Sequence, residues 1–249
     1  MPCLWTYVDA MSTKPILKLD WCSHAAAKYA VEHWHYSKCL PHQKLVKLGV
    51  WENALFVGAL IFGDGANQNI MTPYGLTYNE GCELVRIALT RHTTPVSRII
   101  RVALHLLYNF LPRLRLVVSF ADPAHGHVGA IYQASNWLYT GKTSASDEYI
   151  VHGKRFQGRA LRSTRSTHGL RAIPAKNVVE WAQKVLDPQA CVVKGTSKHR
   201  YLYPLDAAMR AQILPLAKPY PKRAVSTAAS APVLQAGEGG SSPTTALDL

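Results

Sequence analysis

Apolar residues along this chain recur with two periods, and the switches between them set out its elements. Residues 15–19 (PILKL) alternate and predict a strand. Ser23 is placed to cap a helix over residues 24–35, with Ala25, Ala26 and Ala27 favouring it. Residues 45–51 and 55–62 predict two strands, joined by a hairpin turn at Glu52, Asn53 and Ala54. A loop rich in Gly, Asn, Pro and Tyr covers residues 63–79, and CELVRIAL at 82–89 predicts the next strand. Ile99, Ile100, Ala103, Leu104 and Leu107 then fall on one face of a helix over 96–111. LRLVVSF at 114–120 is a nearly continuous β run, the pattern of a strand buried on both faces. A short helix over 127–136, strands at 138–139 and 148–152, and helices over 177–186 and 205–216 complete the reading. This order predicts a three-layer α/β/α sandwich around a mixed, mostly antiparallel sheet.

Composition narrows the class. With 249 residues and 48% hydrophobic content the chain can bury a substantial core, which excludes collagen-like and wholly disordered proteins. No apolar run is long enough for a transmembrane helix, and residues 1–20 lack a basic segment followed by an apolar one. The five cysteines are scattered without a C-x-x-C, so neither a disulfide framework nor a thiolate zinc site is indicated. A cytoplasmic protein is expected, with no membrane partner.

Charge is uneven. Residues 1–151 carry 13 Lys/Arg against 10 Asp/Glu, residues 152–223 carry 15 against 3, and residues 224–249 carry none against 2. So concentrated a basic block is the footprint of a polyanion partner, although a solvated basic face gives the same count. The expected organisation is an irregular N-terminus at 1–14, a catalytic core at 15–156, a basic nucleic-acid-binding extension at 157–223 and a disordered tail at 224–249.

Four segments carry candidate chemistry. HWHYS places His35 and Tyr36 where the first helix meets a loop, although a His at a helix end is also favoured by the dipole, by about 0.3–1 kcal/mol. Asp122 follows the buried strand, where α/β sheets bind ligands, and Asp before Pro is equally a turn former. Arg86 with Ser97 brackets a strand, a Thr-rich loop and a helix start, the makings of an anion site; Ser97 is placed to cap the helix, to hold a phosphate or both. For Arg86 the plainer reading is an ion pair with Glu83. Tyr132 lies on a short helix before Trp137 and Gly141, a pattern that packing alone also produces.

Together these segments resemble the GNAT acyltransferase fold. The strand, loop and helix at 82–111 are similar to its acyl-CoA pyrophosphate module, and residues 130–137 to the helix that carries its general acid, here Tyr132. Residues 91–97 contain none of the glycines of that fold's phosphate loop, which leaves other donors open. HWHYSKCLP, CELVRIALT, SFADPAHGHVGAIYQASNWLYTG, HGKRFQGRAL, KHRYLYPLD and PYPKR further resemble the Mom family of phage DNA-modification proteins, over about residues 15–223. That resemblance implies conversion of adenine in DNA to N6-carbamoylmethyladenine, which shields phage DNA from restriction in the cytoplasm of the bacterial host.

The implied chemistry sets further expectations. The added CH2–CO–NH2 is an isomer of a glycyl group, so a glycyl-tRNA or an acyl-CoA-like thioester is expected as donor, with tRNA a partner in the first case. The substrate is double-stranded DNA with a flipped adenine, stacked on an aromatic side chain such as Trp34, Tyr36 or Trp137. His35 or Asp122 is the expected base and Tyr132 the acid, while Arg86 and Ser97 hold the donor. His35, Tyr36 and Asp122 are also a ligand set suited to a transition metal such as iron. Lys154, Arg155, Arg159, Arg162 and Arg165 are expected to line the DNA backbone. The rival readings are an N-acetyltransferase using acetyl-CoA and a noncatalytic DNA-binding protein; a single chain and a homodimer are both compatible with the sequence.

Overall fold

The computed structural model describes residues 14–65, 68–158, 161 and 177–222. Arg159, Arg162 and Arg165, most of the N-terminal stretch at 1–14 and the tail at 224–249 lie outside the described residues. The elements in chain order are β1 (Leu17–Trp21), α1 (His24–Trp34), β2 (Leu45–Glu52), β3 (Leu55–Gly63), β4 (Gly81–Leu89), α2 (Val96–Phe110), β5 (Leu116–Ala121), α3 (Ala130–Gln133), β6 (Leu138–Lys142), β7 (Asp147–Val151), β8 (Lys154–Gln157), α4 (Val178–Val185), β9 (Cys191–Lys194), β10 (His199–Pro204) and α5 (Ala207–Ile213). The architecture is mixed α/β. No helix among the described residues is long and apolar enough to cross a membrane.

The chain forms two compact units. The first comprises Met1–Phe120, Ala130–Tyr139 and Tyr201–Leu249. Its sheet has the strand order β1-β2-β3-β4-β5-β10-β6. β1 to β4 pair antiparallel in sequence: a two-residue turn joins β2 to β3, while α1 joins β1 to β2 and the segment 64–80 joins β3 to β4. Asn53 and Ala54 form the two-residue turn between β2 and β3 with φ of 49° and 68°, and Glu52, expected in that turn, is the last residue of β2. The α1 helix starts as its sequence predicts, the Ser23 hydroxyl accepting the Ala26 N–H at 3.1 Å. Its small buried residues, Ala27, Ala30 and Val31, let it settle on Ala59 and Ile61 of β3 and Ala88 of β4. All five residues of the expected α2 stripe are buried. Ser97 does not cap that helix, however: Pro95 occupies the cap position, placing Ser97 in the first turn.

β4 and β5 run parallel, and their pairing is short. It covers Gly81 with Leu116, Cys82 with Val117 and Glu83 with Val118, although β4 continues to Leu89 and β5 to Ala121. The carboxyl ends of these two strands therefore form a fork. β10 lies beside β5, so KHRYLYP, expected in a separate basic extension, supplies a strand of the main sheet with Tyr201 and Leu202 fully buried. After it, α5 buries Met209 and Ile213 against Leu116 and Val118. The short helix is only α3, shorter than the expected 127–136, because Gly129 (φ 82°) and Asn136 (φ 61°) adopt left-handed backbone on either side.

The second unit comprises Ala121–Gly129 and Thr140–Arg200. β8, β7 and β9 form its three-stranded sheet, in that order. Its own core packs Tyr149, Val151 and Leu161 against Trp181, Ala182 and Ala190. The α4 helix is capped by Asn177, whose side chain accepts the Glu180 N–H at 2.9 Å.

Candidate functional site

The fork in the first unit gathers four of the residues singled out from sequence. At its base Ser119, the one polar side chain of β5 and fully buried, lies 2.8 Å from the Leu84 carbonyl and 2.7 Å from the Tyr132 hydroxyl. A carbonyl can only accept and a serine has one proton, so Ser119 donates to Leu84 and the Tyr132 hydroxyl donates to Ser119. This chain of bonds continues the linkage between β4 and β5 where the backbone ladder stops. Burial is the main reason the Tyr132 phenol is pushed up to about 12, with Ser119 opposing the rise. Tyr132 is thus a phenol at any working pH, a proton donor and not a phenolate.

His35 ends α1. Its backbone N–H donates to the Val31 carbonyl at 3.2 Å, and its ring is buried. Ser37 meets that ring twice: its hydroxyl lies 2.8 Å from Nδ1 and its backbone N–H donates to Nδ1 at 3.1 Å. An amide N–H can only donate, so the neutral imidazole carries its own proton on Nε2. Tyr36 is half exposed and lies beside the His35 ring, the centroids 4.3 Å apart. Its field also reaches the Tyr132 phenol.

Arg86 closes the group. Its Nε donates to the Cys39 carbonyl at 3.4 Å and its Nη1 to the Val85 carbonyl at 2.8 Å. The ion pair with Glu83 is not formed, and Arg86 has no acidic partner among the described residues. A half-buried guanidinium held by carbonyls alone keeps its charge for a ligand's oxygen. Ser37 belongs to the HWHYS run singled out from the sequence, whereas Ser119 was not singled out. A lone Ser inside the apolar run LRLVVSF was the available signal for the second, since a buried hydroxyl needs partners.

The aromatic candidates separate. Tyr36 is exposed enough to receive a base, whereas Trp137 is fully buried between Tyr132 and Tyr203 and is a core residue. Trp34 packs on Tyr29 and Phe56.

Asp122 lies in the second unit. Its Oδ1 accepts the Ala124 N–H at 3.0 Å, the turn-forming role, and its Oδ2 pairs with the Lys198 ammonium at 3.2 Å. No three of His, Cys, Asp and Glu gather into a metal-binding group among the described residues. Asp122 carries partners on both oxygens and Ser37 takes His35 Nδ1, so a metal ion held by His35 would take the imidazole at Nε2. In the same unit Lys154 and Arg155 are exposed on β8, Arg155 pairing with Glu148 at 3.2 Å.

The model of the Mom protein family matches residues 16–222. The chain belongs to that family. One curated Mom relative, the methylcarbamoylase mom of Escherichia phage Mu, is 27% identical over 213 residues, covering 83% of this chain and 84% of the relative. The match to the Mom family spans the fork, its flanking loops and the second unit, so the residues described above fall within it.

Proposed function

We propose that this chain is a phage DNA-modifying transferase that converts adenine to N6-carbamoylmethyladenine and so protects phage DNA from restriction in the host cytoplasm. Family membership supports the reaction class, and the name of the phage Mu relative supports the group added. The observation that carries the assignment of a site is the fork: an Arg86 with no acidic partner among the described residues, an Nε2-protonated His35 and a buried Tyr132 phenol in one small region of one unit. The parallel pair that splays, with α2 following β4 and α3 following β5, supports a GNAT-like three-layer fold.

The reaction is an acyl transfer followed by a rearrangement. Adenine N6 attacks the carbonyl of an activated glycyl ester or thioester, forming the amide bond and breaking the carbonyl's bond to the leaving alcohol or thiol. Arg86 and His35 Nε2–H stabilise the oxyanion; Tyr132 turns its hydroxyl from Ser119 to give its proton to the leaving group and takes back the proton that N6 loses, a relay worth roughly 10²–10⁴-fold. The free glycyl amine then attacks purine C6 through a five-membered ring, and the C6–N6 bond breaks. N6 departs as the carboxamide nitrogen, leaving C6–NH–CH2–CO–NH2 with no atom gained or lost. Because N6 is stacked and paired in duplex DNA, the adenine is flipped out, with the exposed Tyr36 ring as its stacking platform. The basic residues Lys154 and Arg155 support DNA binding.

Mass spectrometry of nucleosides from cells expressing the chain tests this. Deoxyadenosine heavier by C2H3NO is expected, lost in Arg86→Ala and strongly reduced in Tyr132→Phe. An acetylated adenine would overturn the glycyl route in favour of acetyl transfer. Unmodified DNA bound by a folded chain would favour a noncatalytic binder.

A further inference from the structure

The loop between β4 and α2 is the one that a phosphate-bearing donor would use in an acyltransferase of this kind, since backbone N–H groups converge where a helix begins. In this chain two of that loop's amides are already taken. Glu52, at the end of β2, is buried, and its carboxylate accepts the Thr93 N–H on Oε2 at 2.8 Å and the Thr94 N–H on Oε1. Two successive amides on the two oxygens of one anion is the arrangement with which a backbone nest takes a phosphate.

The remaining inventory is short. Pro95 has no N–H, and the N–H groups of Arg98 and Ile99 both donate to the Pro95 carbonyl, at 2.9 and 3.2 Å. Only Val96 and Ser97 are left to offer amides at the helix start. The carboxylate is also an ion and not an acid: although burial pushes Glu52 up, the dipoles of Thr94 and Thr93 and the charge of His92 outweigh it and hold the group below the usual carboxylate range. An incoming pyrophosphate would have to displace a bonded carboxylate or stand beside its charge.

We propose that Glu52 is a specificity-determining residue that occupies the phosphate cradle of this fold, so that the donor is not a coenzyme-A-type molecule anchored by its pyrophosphate at the start of α2. The inference deepens the acyl-transfer reading and rests on it for its meaning, but it is tested by binding alone, so either can fail without the other. It also accounts physically for the absence of glycine between Arg91 and Ser97: no ligand's phosphate approaches that backbone, so close approach is not needed.

The test is titration of the purified full chain with inorganic pyrophosphate and with acetyl-CoA, followed by calorimetry. The wild-type chain should show no saturable binding of either. Glu52→Ala, which opens both amides, should bind pyrophosphate at least about tenfold more tightly, the scale of one charge-assisted hydrogen bond regained. Glu52→Gln, which keeps the shape but presents one accepting oxygen and no charge, should gain less. If the Ala variant does not fold, the Gln variant decides. Saturable wild-type binding of acetyl-CoA that neither substitution strengthens would overturn the proposal, as would folded variants that gain no pyrophosphate binding.

Discussion

The fork of the first unit and the small sheet of the second make opposite uses of positive charge. At the fork Arg86 is held by the carbonyls of Cys39 and Val85, and no acidic side chain among the described residues neutralises it. In the second unit four of the described cations stand against acids: Arg155 on Glu148, Lys194 on Asp147, Lys198 on Asp122 and Lys184 on Glu180. A count along the chain makes the second region the electrostatic centre of the protein, yet much of its described charge is matched within the unit. Ion pairs this exposed are each worth under about 1 kcal/mol, so a phosphate can take an arginine or lysine from its partner, but the carboxylate left behind then offsets the gain. One arginine without an acid can matter more to a ligand than several that have one.

The comparison can be broken most sharply at Tyr132. Tyr132→Phe should lower formation of the modified nucleoside by about 10²–10⁴-fold while thermal stability stays near wild type, because Ser119 keeps its bond to Leu84. A large loss of melting temperature with activity per folded molecule preserved would make Tyr132 a packing residue. The next largest effect is structural. Asp206 caps α5 through the Met209 N–H at 2.6 Å and receives Arg115 on both oxygens, at 2.8 and 3.2 Å. Asp206→Ala should cost about 1–3 kcal/mol in denaturant unfolding. Arg115, ahead of the cap amides, holds the Asp206 carboxyl below its ordinary value. Its contribution is therefore complete above the unfolded value near 4 and is lost as pH falls through the lower folded one, so the substitution should flatten the acid limb of the stability curve.

The smallest effect separates the two kinds of cation in the second unit itself. Lys154→Ala should reduce the slope of log affinity for duplex DNA against log salt by about one, the value for one phosphate contact. Arg155→Ala should reduce it by less, since Arg155 must leave Glu148 to reach a phosphate. Equal slopes for the two variants would mean that the Glu148 pair does not persist in solution.

How far the sequence foretold this depends on how far apart the partners lie. The α2 stripe, the Ser23 cap and the β2–β3 hairpin are set by residues within a turn or two of each other, and each is found where the pattern places it. β9 and β10 escape the pattern because they are short and carry lysine, histidine and arginine among their apolar residues, so KHRYLYP reads as charge before it reads as strand. At the site, the positions of His35, Arg86 and Tyr132 were legible as chemistry, whereas Ser119 and Glu52 take their meaning from Tyr132 and Thr94, which only the fold brings near. Physical proximity across dozens of residues leaves little trace in local periodicity.

The threading of the chain has a consequence for synthesis. The first unit is left after Phe120, rejoined for Ala130–Tyr139, left again and resumed at Tyr201. β5 is therefore made long before β10, the neighbour that completes its side of the sheet. During translation an apolar strand with an unpaired edge must wait while the whole of Thr140–Arg200 emerges from the ribosome. That interval gives the second unit, with its own core around Trp181, the opportunity to fold first and to keep the nascent chain compact until its last strand arrives.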